Sequence, residues 1–176
     1  MDPFGLKIKT ARKFIKKQQA SPAADRAFPK KEIASVAVLA EASRFDAYDF
    51  SDRLSKDFSI TKEKIEILLV DPSGKLSEDF SLHQVVNQEA FGMQGRPKTD
   101  ALKAFLNRDF DLLINYCPFD WVFTEVLVLR SKAKLIAGFK EDENRRIDIA
   151  IDVPKNKMDA FHAELNRYLK IMNLLT

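Results

Sequence analysis

The residues of this chain best placed for chemistry follow three short apolar runs: Glu41, Ser43 and Arg44 after the first, Asp71 after the second, and Asn115, Tyr116 and Cys117 after the third. In an open α/β sheet, ligands collect beyond the carboxyl ends of the strands, so Ser43, Arg44, Asp71, Asn115, Tyr116 and Cys117 form the candidate pocket. Cys117 is the only cysteine, and a thiol at the start of a helix gains thiolate character. A nucleophile also needs a base, and neither His83 nor His162 sits in a recognisable motif. Cysteine is among the residue types most often buried, and its neighbours explain the corner without chemistry. Leu112, Leu113 and Ile114 fill a sheet, Pro118 ends the strand and Trp121 begins a helix. Cys117 is therefore expected to be structural, and no residue is assigned a catalytic role.

Phosphate and metal motifs fail on spacing. GMQGRPKT holds Gly92, Gly95, Lys98 and Thr99, but a P-loop requires its second glycine immediately before the lysine. Ser73, Gly74 and Lys75 lack the upstream glycine, and the first apolar run leads into EASRFD rather than GxGxxG. The acidic run at 141–143 reads as a solvated turn, since consecutive carboxylates rarely converge on one ion. No metal and no cofactor are expected.

Composition narrows the class further. The 176 residues suit a single domain with one sizeable core, and 45% apolar with 31% charged residues is an ordinary globular balance. Five glycines argue against glycine-rich phosphate loops and against an architecture of many hairpins. One cysteine excludes an internal disulfide, a Cys-rich zinc site and a CxxC redox pair. The N-terminal residues contain no uninterrupted apolar stretch like that of a signal peptide, and no run approaches the ~20 apolar residues of a membrane span. A cytoplasmic location is expected.

The net charge of +3 conceals an asymmetry. Residues 1–31 carry nine Lys or Arg against Asp2 and Asp25, whereas residues 32–176 carry twenty against twenty-four acids. Phe4, Ile8, Ala11 and Ile15 recur at helical spacing, with Phe14 beside them, and Lys7, Lys9, Arg12, Lys13, Lys16 and Lys17 occupy the other positions. Three uses of such a basic amphipathic helix are open: its apolar face docks on the domain, it lies on an anionic membrane surface, or it contacts a protein partner or nucleic acid. Docking is the preferred reading. Nucleic acid is disfavoured, because the basic residues do not interleave with several aromatics. The following QQASPAADRAFPKK, with Pro22 and Pro29, reads as a linker arm.

The candidate pocket depends on an alternation of strands and helices from Ile33 onward. SVAVLAE (35–41), KIEILLVD (64–71), DLLINY (111–116) and KLIAGF (134–139) are apolar runs suited to buried parallel strands. RIDIAIDV (146–153) alternates strictly, placing Ile147, Ile149, Ile151 and Val153 on one face, as a half-exposed edge strand does. Helical spacing surrounds Leu54, from Phe45 and Tyr48 to Phe58. It recurs in TDALKAFLNRD with Thr99 as N-cap, in DWVFTEVLVLRSK with Asp120 as cap, and from Met158 to Met172. Residues 76–97 have no sustained period and read as a short strand or irregular loop. The pattern predicts a three-layer, Rossmann-like α/β domain over residues 33–176, with five strands in a mainly parallel sheet and helices on both faces. Residues 1–32 add the basic helix and its arm.

FLNRDFDLLINYCP, the helix in WVFTEVLVLRSKAKLIAGF and the C-terminal FHAELNRYLKIMN resemble a small uncharacterised family of bacterial cytoplasmic α/β proteins, over nearly the whole chain. That resemblance implies the fold class and brings no activity. FDLLIN followed by SKAKLIAGF is similar to the DLVI and GAKxRIGF segments in the N-terminal half of heptosyltransferase-type glycosyltransferases. This second resemblance implies a Rossmann-like sheet. Those enzymes hold their nucleotide-sugar donor mainly in a C-terminal domain that these residues do not include, so neither donor site nor catalytic residue carries over. The leading expectation is a non-enzymatic α/β binding or scaffold protein. The alternatives are a degenerate or partial glycosyltransferase-like small-molecule-binding domain, or a peripheral membrane-surface or nucleic-acid-associated protein acting through the basic helix.

Overall fold

The computed structural model describes residues 3–21, 27–43, 50–75, 83–117, 120–140 and 147–176. Among these residues six strands form one sheet: β1 (Val36–Glu41), β2 (Ile65–Val70), β3 (Gln84–Val86), β4 (Leu112–Asn115), β5 (Leu135–Phe139) and β6 (Ile149–Ile151). Their order is β3-β2-β1-β4-β5-β6, and every neighbouring pair is parallel. This is the order of a doubly wound Rossmann-type sheet. The chain winds outward from β1 to β3, then crosses back to place β4 on the other side of β1. A crevice therefore opens between the carboxyl ends of β1 and β4.

Successive strand residues face opposite sides, so the sheet divides its apolar residues between two cores. Val36, Val38 and Ala40 of β1 join Ile67, Leu69, Leu112 and Ile114 on one face, while Ala37 and Leu39 join Leu68, Val70 and Leu113 on the other. The first face is covered by α2 (Phe50–Phe58), through Phe50, Leu54 and Phe58, and by α5 (Met158–Ile171), through Phe161, Leu165 and Leu169. The second is covered by α3 (Asp100–Asn107) and α4 (Val122–Arg130), together with the N-terminal helix α1 (Pro3–Ala20). In α2 and α5 the i, i+4, i+8 spacing aligns the three apolar residues on one stripe, and each fully buried Phe or Leu contributes roughly 1.5–3 kcal/mol. The result is the three-layer α/β architecture that the alternation predicted.

α1 belongs to these layers. Ala11 and Ile15 are buried in the second core, with Phe4 and Phe14 partly buried against it. The Arg130 guanidinium of α4 lies 4.2 Å from the centre of the Phe14 ring. Thr10 Oγ1 accepts a hydrogen bond from the Gln94 backbone N–H at 2.9 Å, and Gln19 donates to Glu125 at 2.9 Å. Lys9, Arg12, Lys13, Lys16 and Lys17 are exposed.

Three local expectations need correction. The segment without a period contains a short strand, β3, as one of its two readings had it, together with two 3-10 turns, so among the described residues the sheet has six strands rather than five. β6 is an edge strand but only three residues long, and Ile147 packs with the second core whereas Ile149 and Ile151 pack with the first. The alternation breaks at Asp148, whose carboxylate accepts the Ile136 N–H at 2.7 Å while its own N–H donates to Ile136 C=O at 2.8 Å. Asp120 does not cap α4: the N-cap is Trp121, without a side-chain hydrogen bond, because the helix begins one residue later than the sequence suggests. Thr99 does cap α3, accepting the Leu102 N–H at 3.3 Å. Phe45, Tyr48, Pro22 and the acidic run at 141–143 fall outside the described residues.

Candidate functional site

The sheet treats its two ends differently. At the amino end, Asp111 accepts from the Ala34 N–H, the Ser35 hydroxyl and Lys134 Nζ at 3.1, 3.1 and 2.7 Å. Partial burial opposes that charge, but Lys134 and the two other donors hold the carboxyl below its usual range. The carboxyl end is concave. A helix that follows a parallel strand must start at that strand's carboxyl end, so α2 and α5 both begin above the first face of the sheet, with first-turn amides that have no intrahelical acceptor.

Between these helix starts lies a cleft of about 810 Å³. Ala40, Glu41 and Ser43 bound it on the β1 side, Tyr116 on the β4 side, Phe50 at the start of α2, and residues 155–160 at the start of α5. The Tyr116 ring stacks on Phe50 with centroids 4.5 Å apart, making an aromatic wall. Lys157 is the N-cap of α5 and has no side-chain capping bond. Asp159, in the first turn, pairs with Arg53 of α2, which offsets its charge.

Behind Tyr116 stands a polar group that the sequence pattern does not reveal. The Tyr116 hydroxyl is 2.8 Å from Nε2 of His162, a fully buried residue of α5. His162 Nδ1 is 3.6 Å from the Asp57 carboxylate of α2. Burial, aided by the Arg53 charge, pushes the His162 pKa down to about 4 against the opposing effects of Asp57 and Asp159. The imidazole is thus neutral near pH 7.

A second, smaller recess of about 330 Å³ lies over the opposite face. Glu41 borders both spaces; Val70, Pro72, Cys117, Asp120, Trp121 and Thr124 complete the recess. Cys117 is buried there, and its N–H donates to Asn115 Oδ1 at 3.1 Å while Asn115 Nδ2 donates to Cys117 C=O at 3.2 Å.

Nearly the whole length of such a fold, residues 7–172, matches a single sequence family. The chain belongs to DUF6913, a family of unknown function. No curated protein and no solved structure matches it. For this DUF6913 chain, the site therefore rests on its own geometry.

That geometry divides the residues selected from sequence. Ser43 and Tyr116 meet in the larger cleft, and Cys117 lies in the smaller recess. Asn115 and Asp71 are buried but line neither space: Asn115 closes its own turn, and Asp71 accepts from the Ser73 N–H and hydroxyl at 3.0 and 2.6 Å. Arg44 lies outside the described residues. Lys7, Lys9, Arg12, Lys13, Lys16 and Lys17 are on α1 and line neither space. Sequence reasoning missed Phe50, Lys157, His162 and Thr124. A signal for Phe50 and Lys157 existed, since each adjoins the start of a helix that the strand alternation places at the crevice.

Proposed function

We propose that this chain is a small-molecule-binding module whose ligand is anionic and occupies the cleft between the carboxyl ends of β1 and β4. The cleft itself carries the reading: about 810 Å³ at the point where strand order reverses is the size and place of a ligand site in a doubly wound sheet. Lys157 and the starts of α2 and α5 favour negative charge, and the Phe50–Tyr116 wall favours an apolar or planar portion beside it.

Binding is favoured over catalysis because the reactive groups are engaged with one another or buried. Ser43 donates to Glu41 at 2.9 Å, Tyr116 is bound to His162, the Asn115 amide is held by the Cys117 backbone, and the Cys117 thiol is buried. The test is calorimetric titration of the full chain with inorganic phosphate and with phosphorylated metabolites, repeated on Lys157→Glu. Saturable binding that weakens tenfold or more in the variant supports the site. Binding unaffected by Lys157→Glu, or none, sinks it and returns the chain to a scaffold role.

A further inference from the structure

One residue in the wall of the smaller recess, Thr124, carries a buried polar atom without a hydrogen-bond partner among the described residues. Thr124, in the first turn of α4, is 1% exposed, and its Oγ1 has no partner among the described residues. A buried hydroxyl without a partner is unusual in a folded protein and calls for a specific explanation. Thr124 shares the recess wall with Glu41, Asp120 and Trp121, and α4 begins there with no side chain capping it.

We propose that this recess is a second subsite of the same crevice, taking the hydroxylated portion of a phosphorylated sugar. The inference rests on the anion cleft described above and names the class of ligand that would span it. Glu41 and Asp120 line the recess, and carboxylates at its border suit a group that donates hydrogen bonds. Unlike the larger cleft with its Lys155 and Lys157, the recess has no lysine or arginine among its described lining residues, so its carboxylates disfavour a second anionic group, and the positive end of α4 disfavours a full cation relative to a neutral donor. Trp121, Val70 and Pro72 supply apolar surface for C–H faces. A neutral unit that carries several hydroxyls on a carbon ring meets all three conditions, and Thr124 Oγ1 both donates to and accepts from such groups. Glu41 borders both spaces, so a ligand with its phosphate near Lys157 and its hydroxyls near Thr124 passes over the end of β1.

The experiment titrates the full chain with inorganic phosphate, glucose, glucose 1-phosphate and ribose 5-phosphate. It includes Thr124→Val, which keeps the shape and removes the hydroxyl, and Thr124→Ser, which keeps the hydroxyl. At least one sugar phosphate is expected to bind tenfold or more tightly than phosphate. Thr124→Val should abolish that preference without altering phosphate affinity, and Thr124→Ser should retain it. Thr124→Val should also leave the melting temperature of the free protein unchanged or raised, since a hydroxyl without a partner is lost. If phosphate binds in a Lys157-dependent way while the sugar adds nothing, or if Thr124→Val keeps the preference, the subsite is overturned and the anion cleft stands. If neither phosphate nor sugar phosphate binds, both readings fall. A drop in melting temperature for Thr124→Val, with the preference intact, would assign the hydroxyl a structural bond instead.

Discussion

Tyr116 and His162 are 46 positions apart in the chain and 2.8 Å apart in space, and their pairing holds the Tyr116 ring that stacks on Phe50 in the aromatic wall of the cleft. Above pH 6.5 the imidazole is neutral whether the chain is folded or not, so it adds no pH dependence. Between pH 6.5 and about 4 the unfolded chain binds a proton that the buried His162 refuses. Stability is therefore lost as pH falls through that window, by up to about 3 kcal/mol. Urea denaturation of wild type and His162→Gln from pH 4.5 to 7.5 should show a steeper loss in the wild type. Parallel profiles would mean that His162 is reached by solvent. Cys117, 4% exposed and engaged through its backbone with Asn115, should resist alkylation at pH 6.5 and react once the chain is unfolded. Rapid labelling of the folded protein would contradict that. The burial of Cys117 was legible, because the flanking apolar run and Pro118 already accounted for the corner. The Tyr116–His162 contact was not, because no local pattern encodes a pairing between a strand end and a distant helix.

At the scale of elements, the turn at Gly95 joins α1 to α4. Gly95 has φ +64°, and a Cβ there would stand 2.5 Å from Val126 Cγ1. Gly95→Ala should cost about 1–3 kcal/mol through backbone strain and overpacking, read as a lower melting temperature. Adding Val126→Ala relieves the clash but not the φ, so recovery should be partial. α1 is held by Ala11, Ile15 and Phe14, and Ile15→Ala should cost roughly 2–4 kcal/mol. Removing residues 1–20 should lower the melting temperature with no lipid or nucleic acid present. An unchanged melting temperature combined with salt-sensitive binding to anionic vesicles would support the membrane-surface alternative. The four central strands were readable because strands buried on both faces appear as continuous apolar runs. β3 was legible only as one of two alternatives, strand or loop, since three residues, of which only Val86 is buried, give no period to detect. The alternation in 146–153 misled in length, because the hydrogen bonds of Asp148 turn Ile147 to the other core.

At the scale of the molecule, two regions could attract anions: the exposed basic face of α1 over the second core, and the cleft where α2 and α5 begin over the first. The sequence made the first conspicuous through nine Lys or Arg in residues 1–31. It located the second only by rule, from where parallel strands end. The central claim is that the cleft, not the basic helix, is the ligand site. Backbone amide chemical-shift mapping of the full chain during titration with inorganic phosphate and glucose 1-phosphate tests it most directly. The account predicts saturable shifts clustered at Glu41, Ser43, Tyr116 and Lys157, with the amides of Asp159 and Ala160 among the largest. Shifts confined to Lys9, Arg12, Lys13, Lys16 and Lys17, or no saturable shifts, would contradict it.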